Sequence, residues 1–544
     1  MFRLFILSLR DYNLSKLKNS NNYTENLKQY LNMLPSGQGH CEGRRQCNRM
    51  LAKSGNCRSG QTCMKCKESS AILIIRVGDA FCKSCFKEYF VHKFRAMLGK
   101  NRVVYPGEKV LLAYSGGPSS SALIQQVQEG LGRDAPKKLR FVPGILFIDE
   151  GAVCGQSWEQ RAQSVSEIQR ILRKTTFPFH IVPLEQIFSL PQSVLQSVLP
   201  GNLAPMENYK QAVNSFLGQG RAHGAEELSG TADELAQLHV TGDECINTYS
   251  CPPPETTSAL TAIFNSAKTL TARMELLQSL RNHLLLHVAR TCGYSKVMSG
   301  ESCTRLAARL LANISLGRGA FLALDTGFSD DRSGDVVIVR PMREYSLKEI
   351  SFYNRLFHVP SVFIPTMETK APENSSLQHL SESFITKLQA EFPSTVSTVY
   401  RTSEKLNISR AEAADENVQQ ERCLMCMCNL DTRVGEASAF SATQISQTLS
   451  QKSPKSNAEP TGDPEKQCCS GGQGCDQASS CSRAPRTQDF TSFLCYSCRV
   501  TMKDVTSVSA FPSYILQEAE HRSRRIAMRR EIEEFLLDEG CGDT

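Results

Sequence analysis

The run from Val110 to Ser120, Val-Leu-Leu-Ala-Tyr-Ser-Gly-Gly-Pro-Ser-Ser, constrains the fold more than any other stretch of this chain. Apolar residues lead directly into Ser115-Gly116-Gly117, and a helix-forming segment, Ser121 to Gln128, follows. That order predicts a buried strand, a glycine turn and a helix start. Glycine admits positive φ and a close approach of backbone to ligand. A helix N-terminus offers unpaired N–H groups and the positive end of its dipole to an anion. The expected guest is a phosphate, such as the pyrophosphate of ATP; an ordinary strand-to-helix connection is the alternative.

Strand and helix signals then alternate. Lys109–Tyr114, Phe141–Ile148, Phe179–Val182, Tyr294–Met298 and Val336–Val339 read as strands. Leu270–Arg290, Thr304–Ser315 and Ser346–Phe357 read as helices. Near-continuous apolar strands alternating with helices predict an α/β fold with a doubly wound parallel sheet. Ligands of such sheets sit beyond the carboxyl ends of the strands, where Ser115-Gly116-Gly117, Asp149 and Ser299-Gly300 all fall.

Cysteine spacing supplies a second constraint. Cys63-x-x-Cys66 is followed by Cys82-x-x-Cys85, the spacing of a two-knuckle zinc site. Each knuckle aims two thiolates at one point, and two knuckles close a tetrahedron. A strand over residues 71–77 and a turn at Gly78-Asp79 complete a zinc ribbon at 59–90. Such an ion contributes on the order of 10 kcal/mol to a small module. Cys423, Cys426, Cys495 and Cys498 form a second expected site. The stretch between them, 437–490, is rich in Ser, Gln, Pro and Gly and reads as a low-complexity insert. Loop closure cost grows slowly with length, so the insert does not prevent a shared site. Cys468, Cys469, Cys475 and Cys481 within it read as exposed bystanders, and Cys428 lies beside the first pair. Cys292 and Cys303 read as core residues rather than nucleophiles.

The remaining divisions are coarser. Residues 1–58 read as a disordered extension, with a mitochondrial presequence as the alternative because Arg3 and Arg10 precede Asp11. Residues 91–365 read as the α/β domain, with an insertion near 190–260. Residues 366–436 form a connector carrying the first C-terminal cysteine pair, and 491–544 carry the second pair and a terminal helix over Gln517–Leu537. No apolar run reaches the roughly 20 residues needed to span a bilayer, so a membrane role is not expected. Paired cysteines without a secretion signal point to metal ligands in a reducing compartment, the cytosol by default. A charge balance of 62 basic to 55 acidic residues is mildly basic and compatible with RNA. Lys93, Arg95, Lys100 and Arg102 on a helix beside the ribbon are the candidate RNA contacts; a solvated helix face is the alternative.

Ser115-Gly116-Gly117-Pro118-Ser119-Ser120 resembles the S-G-G-x-D-S loop of the PP-loop ATP pyrophosphatases, with Ser119 in place of the aspartate. Ser115, Gly116, Gly117, Ser119 and Ser120 are the phosphate-binding candidates. The ribbon, the loop domain and the C-terminal cysteines together resemble the tRNA 2-thiolation branch of that family. Gly293–Gly300, Leu306–Gly319 and Arg340-Pro341-Met342 also match its segments. The resemblance implies modification of the wobble uridine of lysine, glutamate and glutamine tRNAs in a heteromeric complex with a related subunit. It also implies a thiocarboxylated ubiquitin-like protein as sulfur carrier. In that chemistry ATP adenylates the uracil 2-carbonyl, and sulfur displaces AMP.

The departures from the pattern point away from catalysis. Glu301, Ser302, Thr304 and Arg305 stand where the family has His, Asn, Asp and Asp, so the acidic pair suited to magnesium is absent. No catalytic residue is therefore expected here, and ATP and magnesium are expected on the partner subunit. Two alternatives stay open: a self-sufficient sulfurtransferase or lysidine-synthetase-like enzyme, and a pure scaffold without a nucleotide site.

Overall fold

The computed structural model describes residues 61–196, 249–403, 421–430 and 487–532, with breaks at 76–78, 133–134, 136–137, 251, 370 and 373–374. The expectations for residues 1–58, for most of the 437–490 insert with its four cysteines, and for the centre of the 190–260 insertion lie outside the described residues.

A two-stranded ribbon opens the fold: β1 (Leu73–Ile74) pairs antiparallel with β2 (Ala80–Phe81), shorter than the strand expected over 71–77. Helix α1 (Lys83–Asn101) follows. The domain then runs β3 (Lys109–Tyr114), α2 (Pro118–Leu131), β4 (Val142–Asp149), α3 (Trp158–Leu172) and β5 (Phe179–Pro183). After the insertion come α4 (Pro254–Ser266), α5 (Leu270–Thr291), β6 (Lys296–Ser299), α6 (Cys303–Ser315) and α7 (Leu322–Thr326). Then follow β7 (Ser329–Asp330), β8 (Val337–Val339) and α8 (Leu347–Leu356). Helices α9 (Leu377–Glu391), α10 (Pro393–Thr402), α11 (Thr487–Ser492), α12 (Tyr496–Met502) and α13 (Ser513–Ile532) complete the described chain.

The sheet order is β5-β4-β3-β6-β8-β7, parallel except for the antiparallel edge strand β7. That edge strand is absent from the sequence reading because two residues carry no period. Strand side chains alternate between two cores, as a pleated strand buried on both faces requires. Leu111, Leu146, Val182 and Val297 join one core with α4, α5, α12 and α13. Val110, Leu112, Ile145, Phe147 and Met298 join the other with α1, α2, α3 and α8. A third cluster packs α6 against α9 and α10 through Leu306, Ala307, Ile385, Val396 and Tyr400. The chain leaves β3 in one direction and returns on its other side at β6, so the topological switch point falls between these strands, the position where such sheets bind ligands.

Candidate metal centres and strand-end loop

The two cysteine groups are built alike. In the first, Cys63 opens a turn in which Lys67 N–H donates to its carbonyl at 2.9 Å, and Lys67 takes a left-handed φ of 60°. Cys82 caps α1, and Cys85 lies in that helix's first turn. In the second, Met427 N–H donates to the Cys423 carbonyl at 3.0 Å with φ 59°, while Cys495 caps α12 and Cys498 lies in its first turn. Each group thus joins a tight turn to a helix N-terminus, whose dipole favours thiolates.

The structure brings together all eight expected ligands. Within each of the sets Cys63, Cys66, Cys82, Cys85 and Cys423, Cys426, Cys495, Cys498, the sulfurs all lie within 4.8 Å of one another. Cys66 and Cys82 are 3.9 Å apart, and Cys426 and Cys495 are 3.5 Å apart. A tetrahedral ion with metal–sulfur bonds of about 2.3 Å needs sulfur–sulfur edges of about 3.8 Å. The sets fit one tetrahedral ion each; a multinuclear iron–sulfur core placed between the sulfurs would force them farther apart. Thiols this close cannot titrate independently. Contact with Cys423 draws Cys426 below the usual thiol range and pushes Cys495 above it. A divalent cation resolves that conflict by favouring four thiolates.

Neither set is a detached module. Cys63, Cys82 and Cys85 belong to the core on one face of the sheet, and Cys423, Cys495 and Cys498 to the core on the other. Two half-buried guanidiniums lie beside the second set: Arg318 Nε donates to Ser497 at 3.1 Å and its head pairs with Glu275, while Arg332 donates to Cys428 Sγ at 2.9 Å. Cys428 itself stays outside the tetrad.

At the strand-end loop, Gly117 caps α2 and Pro118 occupies its first turn. Gly116 takes φ +78°, and an added Cβ would meet Ile364 Cδ1 at 2.9 Å. The segment carrying Ile364 crosses the loop, with Val362 N–H donating to the Gly116 carbonyl at 2.8 Å. Ser120 Oγ is taken up internally: it donates to the Gly117 carbonyl at 3.0 Å and accepts from Ser115 N–H at 3.2 Å. Ser115 is exposed, and Gly117 and Ser119 are half-buried. Gly300, at the end of β6, abuts this loop so closely that a Cβ would lie 2.8 Å from the Ser119 carbonyl oxygen. The switch point thus joins the two motif segments, Ser115–Ser120 and Gly300–Arg305.

The carboxylates along this edge are engaged by arginines. Asp149 accepts from Arg161 Nε at 2.8 Å, and the same guanidinium reaches Glu185 at 2.7 and 3.0 Å. Glu150 accepts from Arg281 Nη2 at 2.8 Å. Glu301 pairs with Arg309 and accepts from Arg340 Nε at 2.9 Å. Burial pushes the Glu301 carboxyl up, but Arg309, Arg340 and Arg305 outweigh it and hold the group below the usual carboxylate range. Ser302 Oγ caps α6, and Thr304 Oγ1 donates to Gln389 at 2.9 Å. Of these arginines the sequence reading named Arg340 and Arg305, as parts of matching segments, and did not single out Arg161 or Arg281; Arg281, a charge within the apolar pattern of α5, was the available signal.

The four candidate RNA contacts separate. Lys93 points inward: its Nζ lies 2.8 Å from the Glu349 carboxylate and 4.6 Å from the centre of the Tyr345 ring. Arg95 is half-buried, whereas Lys100 and Arg102 are exposed at the end of α1.

Comparison with known proteins places this architecture. The family model for cytoplasmic tRNA 2-thiolation protein 2 matches residues 376–500. Cytoplasmic tRNA 2-thiolation protein 2-A of Xenopus laevis is 61% identical over 497 residues, covering 89% of this chain and 96% of the relative. The human cytoplasmic tRNA 2-thiolation protein 2 is 51% identical over 483 residues, covering 88% and 94%.

The chain belongs to the cytoplasmic tRNA 2-thiolation protein 2 family.

The family model covers α9, α10 and the second cysteine set, so the family is recognised there by the C-terminal unit rather than by the glycine loop. The cytosolic placement expected from cysteine usage agrees with the name of these family members. No helix among the described residues is long and apolar enough to cross a membrane. A solved U34-tRNA thiolase, NcsA from Methanococcus maripaludis with its [4Fe-4S] cluster, aligns with 64% of this chain and 87% of that one, at 15% identity and a TM-score of 0.39.

Proposed function

We propose that this chain is the tRNA-binding, non-catalytic or weakly catalytic subunit of a cytoplasmic complex that 2-thiolates the wobble uridine of lysine, glutamate and glutamine tRNAs. The names of its relatives support the tRNA 2-thiolation reading. One observation carries the supporting role. Asp149, Glu150 and Glu301, the carboxylates at the switch-point edge, are each neutralised by arginine, and Ser119 occupies the loop position where the motif has aspartate. Magnesium bound to nucleotide phosphates needs oxygen ligands with charge to spare. A related subunit that keeps its acidic residues holds ATP and magnesium in this reading. The sulfur comes from a thiocarboxylated ubiquitin-like carrier. This chain supplies RNA contacts and a stable platform.

Both cysteine sets carry structural zinc in this reading, supported by sulfur spacings that suit a single tetrahedral ion. The loop also keeps a second role. With Gly117 at the cap of α2, Ser115, Gly116, Gly117, Ser119 and Ser120 bind a phosphate of ATP or of tRNA.

The test is reconstitution with purified components. The chain alone, given tRNA, ATP and magnesium, is expected to release no pyrophosphate; adding the related subunit and carrier is expected to yield 2-thiouridine. Robust tRNA adenylation by the chain alone would favour the self-sufficient enzyme. Failure of ATP to bind the chain or raise its melting temperature favours the pure scaffold over the phosphate-binding loop.

A further inference from the structure

We propose that the amino edge of the sheet, opposite the glycine loop, is an RNA-backbone contact surface built from three helix-to-strand turns. The proposal rests on the tRNA-binding reading above and assigns its surface. In a parallel sheet every helix-to-strand turn returns to the amino edge. The turns entering β3, β4 and β5 therefore lie side by side, because these strands are neighbours at about 5 Å spacing.

Each turn carries exposed basic residues. Lys100, at the end of α1, and Lys109 flank the first turn. Lys138 and Arg140 lie in the second, and Arg173 and Lys174 in the third. Arg102, also exposed, caps α1 beside them. The first two turns are physically joined, since Gly107 N–H donates to the Arg140 carbonyl and Val142 N–H to the Glu108 carbonyl, and Ile145 N–H of β4 donates to the Pro178 carbonyl of the third. Among the described residues of these turns the acidic group is Glu108. It is turned inward, accepting from Ser295 Oγ at 2.8 Å and lying 3.2 Å from Lys296 Nζ. Among the described residues the exposed charges of the rim are therefore of one sign across three adjacent turns.

Such a concentration of like charge costs the isolated fold self-repulsion and is relieved by a polyanion. A phosphate backbone matches its chemistry, because lysine and arginine on a ridge contact phosphates in series without reading sequence. The geometry also separates this contact from the glycine loop. The six residues of β3 put about 20 Å between the two edges, so the RNA segment at the rim is not the segment facing Ser115–Ser120. Two of the residues expected from the sequence, Lys100 and Arg102, belong to this rim, whereas Lys93 faces the other way, into the fold.

The experiment compares the full-length chain with its K138Q/R140Q/K174Q variant, titrated with tRNA by fluorescence anisotropy from about 50 to 300 mM salt. A control variant, K268Q/K387Q/K503Q, removes the same number of exposed charges elsewhere. Each lost phosphate contact lowers the slope of log affinity against log salt by about 0.9. The rim variant is expected to lose a slope of about 2 to 3 and roughly 10- to 500-fold in affinity near 100 mM salt, with an unchanged circular dichroism spectrum. The control is expected to change neither by more than a few-fold. Wild-type binding that the rim variant retains, with the same slope, overturns the rim alone. A wild-type chain that fails to bind tRNA at the lowest salt overturns the tRNA-binding reading and the rim with it.

Discussion

Replacing Lys93 with Met is expected to damage stability and leave RNA affinity intact, the reverse of what a surface phosphate contact would do. The Glu349 side chain is 1% exposed and that of Lys93 is 15% exposed. Glu349 accepts from Lys93 Nζ and Tyr89 OH, both at 2.8 Å, and forms the capping box of α8 with Ser346. Burial pushes its carboxyl up, but Lys93 outweighs that and holds it below the usual range. Breaking a buried pair by removing one partner costs about 3–5 kcal/mol. Glu349 would keep the Tyr89 hydroxyl and the Ser346 N–H, so the cost falls below that range, to about 2–3 kcal/mol at pH 7. The sign with pH follows from the depressed carboxyl. Stabilisation by the pair is present above the unfolded-state value near 4.5 and is lost as pH falls through the lower folded-state value. Without Lys93 the Glu349 carboxyl rises, so the deficit of the variant is largest near neutrality and shrinks as Glu349 takes up a proton. The assay is a double-mutant cycle with Glu349→Gln, read by denaturant unfolding of the full-length chain at pH 7.5. A coupling energy of about 2 kcal/mol is expected, with tRNA affinity of K93M within a factor of two or so of wild type. A K93M protein as stable as wild type but weakened in tRNA binding would refute the reasoning.

Three further outcomes follow from the same structure. Cys495→Ser is expected to remove one metal ion per chain by elemental analysis and to lower the melting temperature of the α/β domain itself, since Cys495 sits in the core with α5 and α13; a variant with full metal content would contradict the ligand assignment. Gly116→Val forces a β-branched side chain into φ +78° against Ile364, a strain of about 1–3 kcal/mol; undiminished tRNA thiolation in cells carrying a folded G116V chain would remove the loop from the phosphate reading. His283, fully buried with its Nδ1 2.7 Å from Tyr514 OH, is pushed down to about 4 by burial. Its unfolded-state imidazole takes up a proton first, so stability is expected to fall by up to about 1.4 kcal/mol per pH unit from pH 6.5 toward 4, and urea unfolding of His283→Gln should lack that part of the slope.

Local signals in the sequence marked the sheet strands other than β7 and the two cysteine sets, whereas α9 and α10 lay in what read as a connector. Short unbroken apolar runs bounded by turn residues, such as Val110–Leu112 before Ser-Gly-Gly, suit strands buried on both faces, and the described strands fall within a residue or two of those runs. Paired cysteines identify both tetrads because the ligand geometry resides within each Cys-x-x-Cys turn, even with dozens of residues between the halves. Tertiary structure alone decided how charge is distributed. Lys93 and Lys100 lie on the same helix, yet one meets Glu349, more than 250 residues away in sequence, while the other faces solvent on the rim. The arginines that neutralise Asp149, Glu150 and Glu301 likewise arrive from other helices and strands, and three unrelated turns become neighbours only through the order of the sheet. Backbone periodicity and metal knuckles are short-range and can be read along the chain; Coulomb partners are set by distance in space, which a sequence does not contain.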